Sequence, residues 1–394
     1  MKKFALILIF IFLSFSCTEL IDFSEIECKI SETYNPKLAA NVAMKAFYPF
    51  TRSSRSQECE EVFPYIDDNG DTLAVVVDYG LNNGFVILTK DCNKVLLLSD
   101  DSDYQEILGL PSVSLMLKEV AEASNFPIID PSPTPVSYMV RDTSVQYTPP
   151  MIQVGWHQGS PYNLYAINPE QKFAGCTPVA IALVMSYYEF PNVISLSFDN
   201  APVSTLELNW NSMKAGVGYH GELCTECLQK AGLLRQIGEM CDADYLLDGT
   251  SAWPYVEYLN DMYYTGVEYD EFILAPIVAS LSNHKPCIIS GFNDEAGHTW
   301  VIDGYRIINY TEITYELKGL GAVETDRLER RETYLHFNLG RMTNNSFFCL
   351  SDVFETASGT HVYGGSYTHH PISIFDSPSY TDVELLVTDV EPIN

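Results

Sequence analysis

The chain has 394 residues, more than one ordinary domain needs and compatible with two. Its apolar fraction of 46% is ample for a packed core. A formal charge of −30 argues against nucleic-acid binding, which requires a basic footprint, and says nothing about fold.

The elements follow in chain order. Lys2 and Lys3 precede an unbroken apolar run from Phe4 to Leu13, then Ser14-Phe15-Ser16-Cys17. The run is too short to span a membrane as a mature helix and has the form of a secretory signal over residues 1–17. A cysteine after small residues suggests a lipoprotein signal with Cys17 as the lipidated residue; a simple cut nearby is the alternative. No later run is long and apolar enough for a second membrane segment. Residues 18–36 read as a tether. Residues 37–125 read as a small α+β unit: a helix over Lys37 to Tyr48, strands at Phe63–Ile66 and Leu73–Val77 around the turn Asp67–Asp71, strands at Gly84–Leu88 and Val95–Leu98, and a helix over Val113 to Ala123. Residues 126–150 are rich in proline and read as an extended linker, with the stretch from Ser144 to Met151 the natural place for processing. A second domain spans 151–394.

Gly175-Cys176-Thr177-Pro178 leads directly into the apolar run Val179 to Met185. Proline is tolerated in a first helical turn, whose N–H groups have no intrahelical partner. A cysteine at a helix N-terminus feels the positive end of the dipole, which favours the thiolate, the nucleophilic form. The other reading is a buried core cysteine. Nine of the ten cysteines lie beyond Cys17, so at least one is free in a monomer, and Cys176 is the candidate. Cys224-Thr225-Glu226-Cys227 has no second pair to complete a metal site and reads as structural. A thiolate needs a base. His298, after the turn-rich Asn293–Gly297 and at the mouth of an apolar strand, can face a cleft, or can be a satisfied structural histidine. Asn338, on another expected strand, could hold the imidazole tautomer, and Gln158 with the Cys176 N–H could bind an oxyanion. Each has an ordinary loop or strand-end reading on its own.

Taken together, the blocks are specific. Trp156-x-Gln158, Pro161-Tyr162-Asn163, Gly175–Ala180, Phe190-Pro191, Asn209–Met213, Asp248–Ala252, Lys285-Pro286-Cys287, and Gly297-His298 through Asp303-Gly304-Tyr305 resemble the streptopain-like family of papain-fold cysteine proteases. The resemblance covers roughly residues 150 to 365, and 37–125 resembles that family's inhibitory propeptide. It implies an α+β papain-like domain, with a helical part carrying Cys176 and an antiparallel twisted sheet carrying His298 and Asn338. It implies a zymogen whose propeptide crosses the cleft and displaces the histidine. Cys176 is then nucleophile, His298 general base and acid, Asn338 the residue orienting it, and Gln158 part of the oxyanion hole. Gly249, Ser251, Ala252, Gly297 and Leu339 border the substrate cleft. Expected partners are protein or peptide substrates, the chain's own propeptide and a protein inhibitor, with membrane contact only through a lipid anchor. No cofactor or metal is expected, and the chain is expected to be exported, to the cell envelope or the medium. One departure stands out. The family's Trp-Gly-Trp-Gly-Gly run after the asparagine is replaced by Leu339-Gly340-Arg341-Met342-Thr343, and leucine covers less area and lacks a ring face. The competing readings are a papain-fold surface protein that binds peptides without cutting them, and a related thioester-forming transferase, which the blocks around Cys176 and His298 disfavour.

Overall fold

A computed structural model describes most of residues 59–108 and 136–351, residues 355–356 and 382–393, and isolated positions at 39, 40, 43 and 117. The signal, the tether and Cys17 lie outside the described residues. Of the two helices expected in the N-terminal unit, the described positions Ala39, Ala40, Ala43 and Leu117 are helical, and all but Ala40 are buried.

Four strands of that unit form where apolar runs are bounded by turn residues: β1 (Glu61–Ile66), β2 (Thr72–Asp78), β3 (Phe85–Thr89) and β4 (Val95–Ser99), each antiparallel to the next. The β1–β2 turn closes through Gly70 N–H to the Asp67 carbonyl at 3.0 Å and Asp71 N–H to the Asp67 carboxylate at 2.8 Å. Gly70 takes a φ of 89°, which glycine adopts without penalty. A short helix, α1 (Tyr104–Leu108), follows.

Residues 136–148 correct the expected linker. They form a 13-residue strand, β5 (Val136–Thr148), paired antiparallel along β12 (Gly297–Lys318). β12 also pairs along its length with β13 (Gly321–Asn338), so it is the middle of a long three-stranded ribbon. Beyond the core the far part of this ribbon is polar, with Glu324, Thr325, Asp326 and Arg327 exposed.

The helical part centres on α2 (Cys176–Tyr188), every residue of which from Thr177 to Ser186 is buried. A helix apolar on all sides belongs in the middle of a fold. It ends at Glu189, which takes the left-handed conformation (φ 55°) and returns its N–H to the Met185 carbonyl at 2.8 Å. Around it lie the hairpin β6 (Val193–Leu196)–β7 (Ser204–Glu207), α3 (Trp210–Lys214), α4 (Thr225–Met240), the hairpin β8 (Asp244–Leu246)–β9 (Gly249–Ser251), and α5 (Val256–Asp261). Cys224 and Cys227 are disulfide-bonded across the start of α4, a structural staple as expected.

The large sheet is completed by β10 (Tyr264–Tyr269), β11 (Cys287–Phe292), β14 (Ser346–Leu350), β15 (Glu355–Thr356) and β16 (Asp382–Pro392), with α6 (Leu274–Ser282) packed on it. Its order is β1-β2-β3-β4-β14-β13-β12-β11-β16-β10. The N-terminal strands therefore continue the sheet that carries His298, joined where β4 meets β14 at Leu98–Phe348 and Leu97–Cys349. One apolar cluster includes Val76, Phe85, Ile87 and Leu97 from the N-terminal unit with Trp300, Phe337, Leu339 and Phe347 from the second part. A second cluster holds α2, α4 and the other sheet face, including Val301 and Val387.

Candidate active site

Cys176 opens α2. Gly175 before it has φ 99°, and its carbonyl accepts the Val179 N–H at 3.3 Å. The Cys176 N–H, first of the helix, has no intrahelical acceptor and points out of its end. Among the described free thiols, Cys92, Cys241, Cys287 and Cys349 are buried, whereas Cys176 is half-exposed. Burial pushes the Cys241 and Cys287 thiols up to about 12. Those cysteines are packing residues; among the described free thiols Cys176 and Cys59 are partly exposed, and burial, with Asp78 nearby, raises the Cys59 pKa.

The helix is fastened to the sheet one residue beyond this thiol. The Thr177 hydroxyl lies 2.9 Å from the Thr299 hydroxyl, which lies 2.8 Å from that of Ser290 on β11. Thr177 follows Cys176 and Thr299 follows His298, so this buried contact fastens the head of the helix to the start of the strand that carries His298. Strand alternation gives Thr299 and Val301 the helix side and His298 the side of Trp300, whose ring lies 6.1 Å from the imidazole and nearly parallel to it.

His298 is buried, and its Nε2 is 2.9 Å from the Leu339 carbonyl oxygen. A carbonyl only accepts, so Nε2 carries the proton and Nδ1 the lone pair in the neutral ring. Asn338 does a different task here. Its Nδ2 donates to the Val154 carbonyl at 3.3 Å, and its Oδ1 accepts the Gly340 N–H at 3.2 Å. The acceptor on the imidazole is thus main chain from the next residue, a feature no side-chain pattern signals. Gly340 has φ 60°, and a Cβ there would meet Val179 Cγ1 at 2.6 Å, so the turn lies tightly on α2.

Gln158 sits in the loop Trp156–Pro161, and its carbonyl accepts the Ala174 N–H at 2.8 Å, two residues before Cys176. Trp156 is buried and stacks on Trp210 at 6.3 Å; the Trp210 Nε1 donates to the Pro191 carbonyl at 3.0 Å. Lys230 of α4 lies over both Trp156 and Tyr162 at 5.8 Å, its pKa lowered by burial. His157 is occupied within its own loop: Nδ1 accepts the Gly159 N–H at 3.1 Å, and burial lowers its pKa. Of the expected cleft residues, Gly249 and Ser251 lie on β9, Gly297 begins β12 and is exposed, Leu339 is buried, and Ala252 lies outside the described residues. The residues sequence reasoning missed are Thr177 and Thr299.

A cysteine heading a buried helix, fastened to an antiparallel sheet with a histidine at the second residue of one strand, is the layout of papain-like cysteine proteases. Comparison agrees: residues 156–348 match the Peptidase C10 family, which fits a papain-like fold. Streptopain from Streptococcus pyogenes is 26% identical over 214 residues, covering 43% of this chain and 52% of the relative, and streptopain of the serotype M1 organism matches to the same extent. The chain spans about half the length of these relatives. Both findings support a streptopain-like cysteine protease family for this chain.

Proposed function

We propose that the chain is a cysteine endopeptidase that hydrolyses protein or peptide substrates through Cys176. The observation that carries the reading is the Thr177–Thr299 contact, which fastens the helix head bearing a partly exposed thiol to the start of the strand that carries His298. In the reaction, Nδ1 of His298 takes the Cys176 proton and the thiolate attacks the scissile carbonyl. The oxyanion that forms is held by the Cys176 N–H and the Gln158 amide. Collapse breaks the C–N bond, His298 returns the proton to the leaving amine, and a thioester remains on Cys176. Water activated by His298 then releases the acid and restores the thiol. Asn338 orients His298 through the turn it braces, with the Leu339 carbonyl as the contacting acceptor. Gly249, Ser251, Ala252, Gly297 and Leu339 border the cleft.

We further propose an exported zymogen, anchored through Cys17 or released, in which the N-terminal unit holds the histidine region in an inactive arrangement. Its support is the continuity of β4 with β14 and the apolar cluster shared with Trp300 and Leu339. A peptide-binding protein without cleavage is the second reading, favoured by leucine at 339 where the family has tryptophan. Hydrolysis of an unstructured protein by the processed chain decides between them. The peptidase reading expects turnover that Cys176→Ala reduces to background; equal, null rates for both proteins overturn it.

A further inference from the structure

Asp303 is fully buried, and nothing in the proposed chemistry uses it. It falls at a bulge: β12 pairs Ile302 with Phe337 and then Gly304 with His336, so Asp303 is the extra residue. A bulge re-aims a side chain and frees its backbone from the ladder. The freed Asp303 carbonyl accepts the Met151 N–H at 3.1 Å. One carboxylate oxygen accepts the Ile152 N–H at 2.7 Å, and the other lies 2.5 Å from Nδ1 of His336, itself buried. A buried carboxylate persists only when its oxygens are satisfied, and these partners do so.

The same face grips the same stretch of chain at two more points. A Cβ on Gly304 would meet the Thr148 carbonyl oxygen at 3.0 Å and the Pro150 nitrogen at 3.1 Å, so glycine lets that backbone press onto the sheet. Asn338 holds the Val154 carbonyl. The stretch so held, residues 148–154, is the arm that runs into Trp156 and Gln158.

We infer that Asp303 and His336 are positioning residues that anchor this arm so that Gln158 meets the developing oxyanion. The inference rests on the peptidase reading, and it assigns work to a buried pair that the proposed chemistry leaves unused. Asp303→Asn keeps one acceptor oxygen where two are used, so either the Ile152 N–H or His336 Nδ1 loses its carboxylate partner. His336→Ala removes the donor, and His336→Asn restores an N–H near the position of Nδ1, so it serves as the conservative rescue.

The test measures three quantities on the processed protein. Amide hydrogen exchange across residues 151–156 should quicken in Asp303→Asn and His336→Ala and recover in His336→Asn. On a chromogenic peptide amide, kcat should fall roughly tenfold to a hundredfold with KM within about twofold, less than the loss of a whole oxyanion donor. Alkylation of Cys176 by iodoacetamide should stay within about twofold of wild type, since the nucleophile is not the part displaced. Combining Asp303→Asn with Gln158→Ala should cost little more than Gln158→Ala alone, because both act on one donor. Unchanged exchange overturns the anchor. Unchanged kcat, a loss confined to KM, or additive losses with Gln158→Ala overturn its catalytic role. A wild-type protein without hydrolysis overturns the peptidase reading, and the exchange measurement still decides the anchor.

Discussion

Cys176 and Cys287 show how position divides one residue type into two behaviours. Cys287 is fully buried, with its thiol pushed up to about 12, while Cys176 is half-exposed at a helix head. A raised pKa keeps a thiol protonated over a wider pH range, so at a given pH near neutrality Cys287 holds roughly a thousandfold less thiolate than an ordinary cysteine. Alkylation of the folded protein at mildly acidic pH, followed by peptide mass mapping, should therefore place the first label on Cys176 and leave Cys241 and Cys287 unlabelled. Gly340 illustrates the same dependence for backbone. Gly340→Ala adds a Cβ within reach of Val179 at a φ of 60°. It should lower stability by about 1–3 kcal/mol in urea unfolding. It should also depress kcat, because the Leu339 carbonyl moves with the turn. Cys176, His298, Asn338 and Gln158 stand out in the sequence as candidates, since each proposed role needs a particular side chain. The contacts between them were less legible. The acceptor on His298 is a main-chain carbonyl, which any residue supplies, and the Thr177–Thr299 pair is two hydroxyls 122 positions apart in sequence.

Elements were legible where burial imposes a pattern. The strands β2 to β4 carry near-continuous apolar runs, and α2 is an apolar segment bounded by glycine, proline and a left-handed stop. The ribbon of β5, β12 and β13 was not. Its described far residues, Glu324 to Arg327, are exposed, so polar and charged side chains serve there and no alternation marks them. Val136 to Thr148 reads as linker because prolines crowd both of its flanks, although its backbone is paired along β12. The bulge at Asp303 is likewise invisible before the register is known. Since α2 is the buried axis of the helical part, its packing should dominate local stability. Leu183, fully buried there, gives the check: Leu183→Ala should cost about 2–5 kcal/mol in urea unfolding, at the range expected of core leucines.

At the scale of the whole molecule, the two parts expected as separate domains share a sheet and an apolar cluster. The N-terminal strands join the sheet through β4 on β14, one strand away from β13, which ends at Asn338. Burial of Val76, Phe85, Ile87 and Leu97 with Trp300 and Leu339 means that cutting the chain between the parts does not by itself separate them. Limited proteolysis there should give a nicked protein whose fragments still elute together in gel filtration and part only in denaturant or on further digestion. Fragments that separate at once would contradict a shared core.

The central claim is that Cys176 forms a thioester with the acyl half of a substrate. Its most direct measurement is mass spectrometry of the processed protein, acid-quenched within a burst of turnover on an activated peptide ester. The acyl mass is expected on the peptide that contains Cys176, absent in Cys176→Ala and accumulating when Gln158 is intact. Turnover with no adduct on Cys176, or with the adduct on another residue, would contradict it.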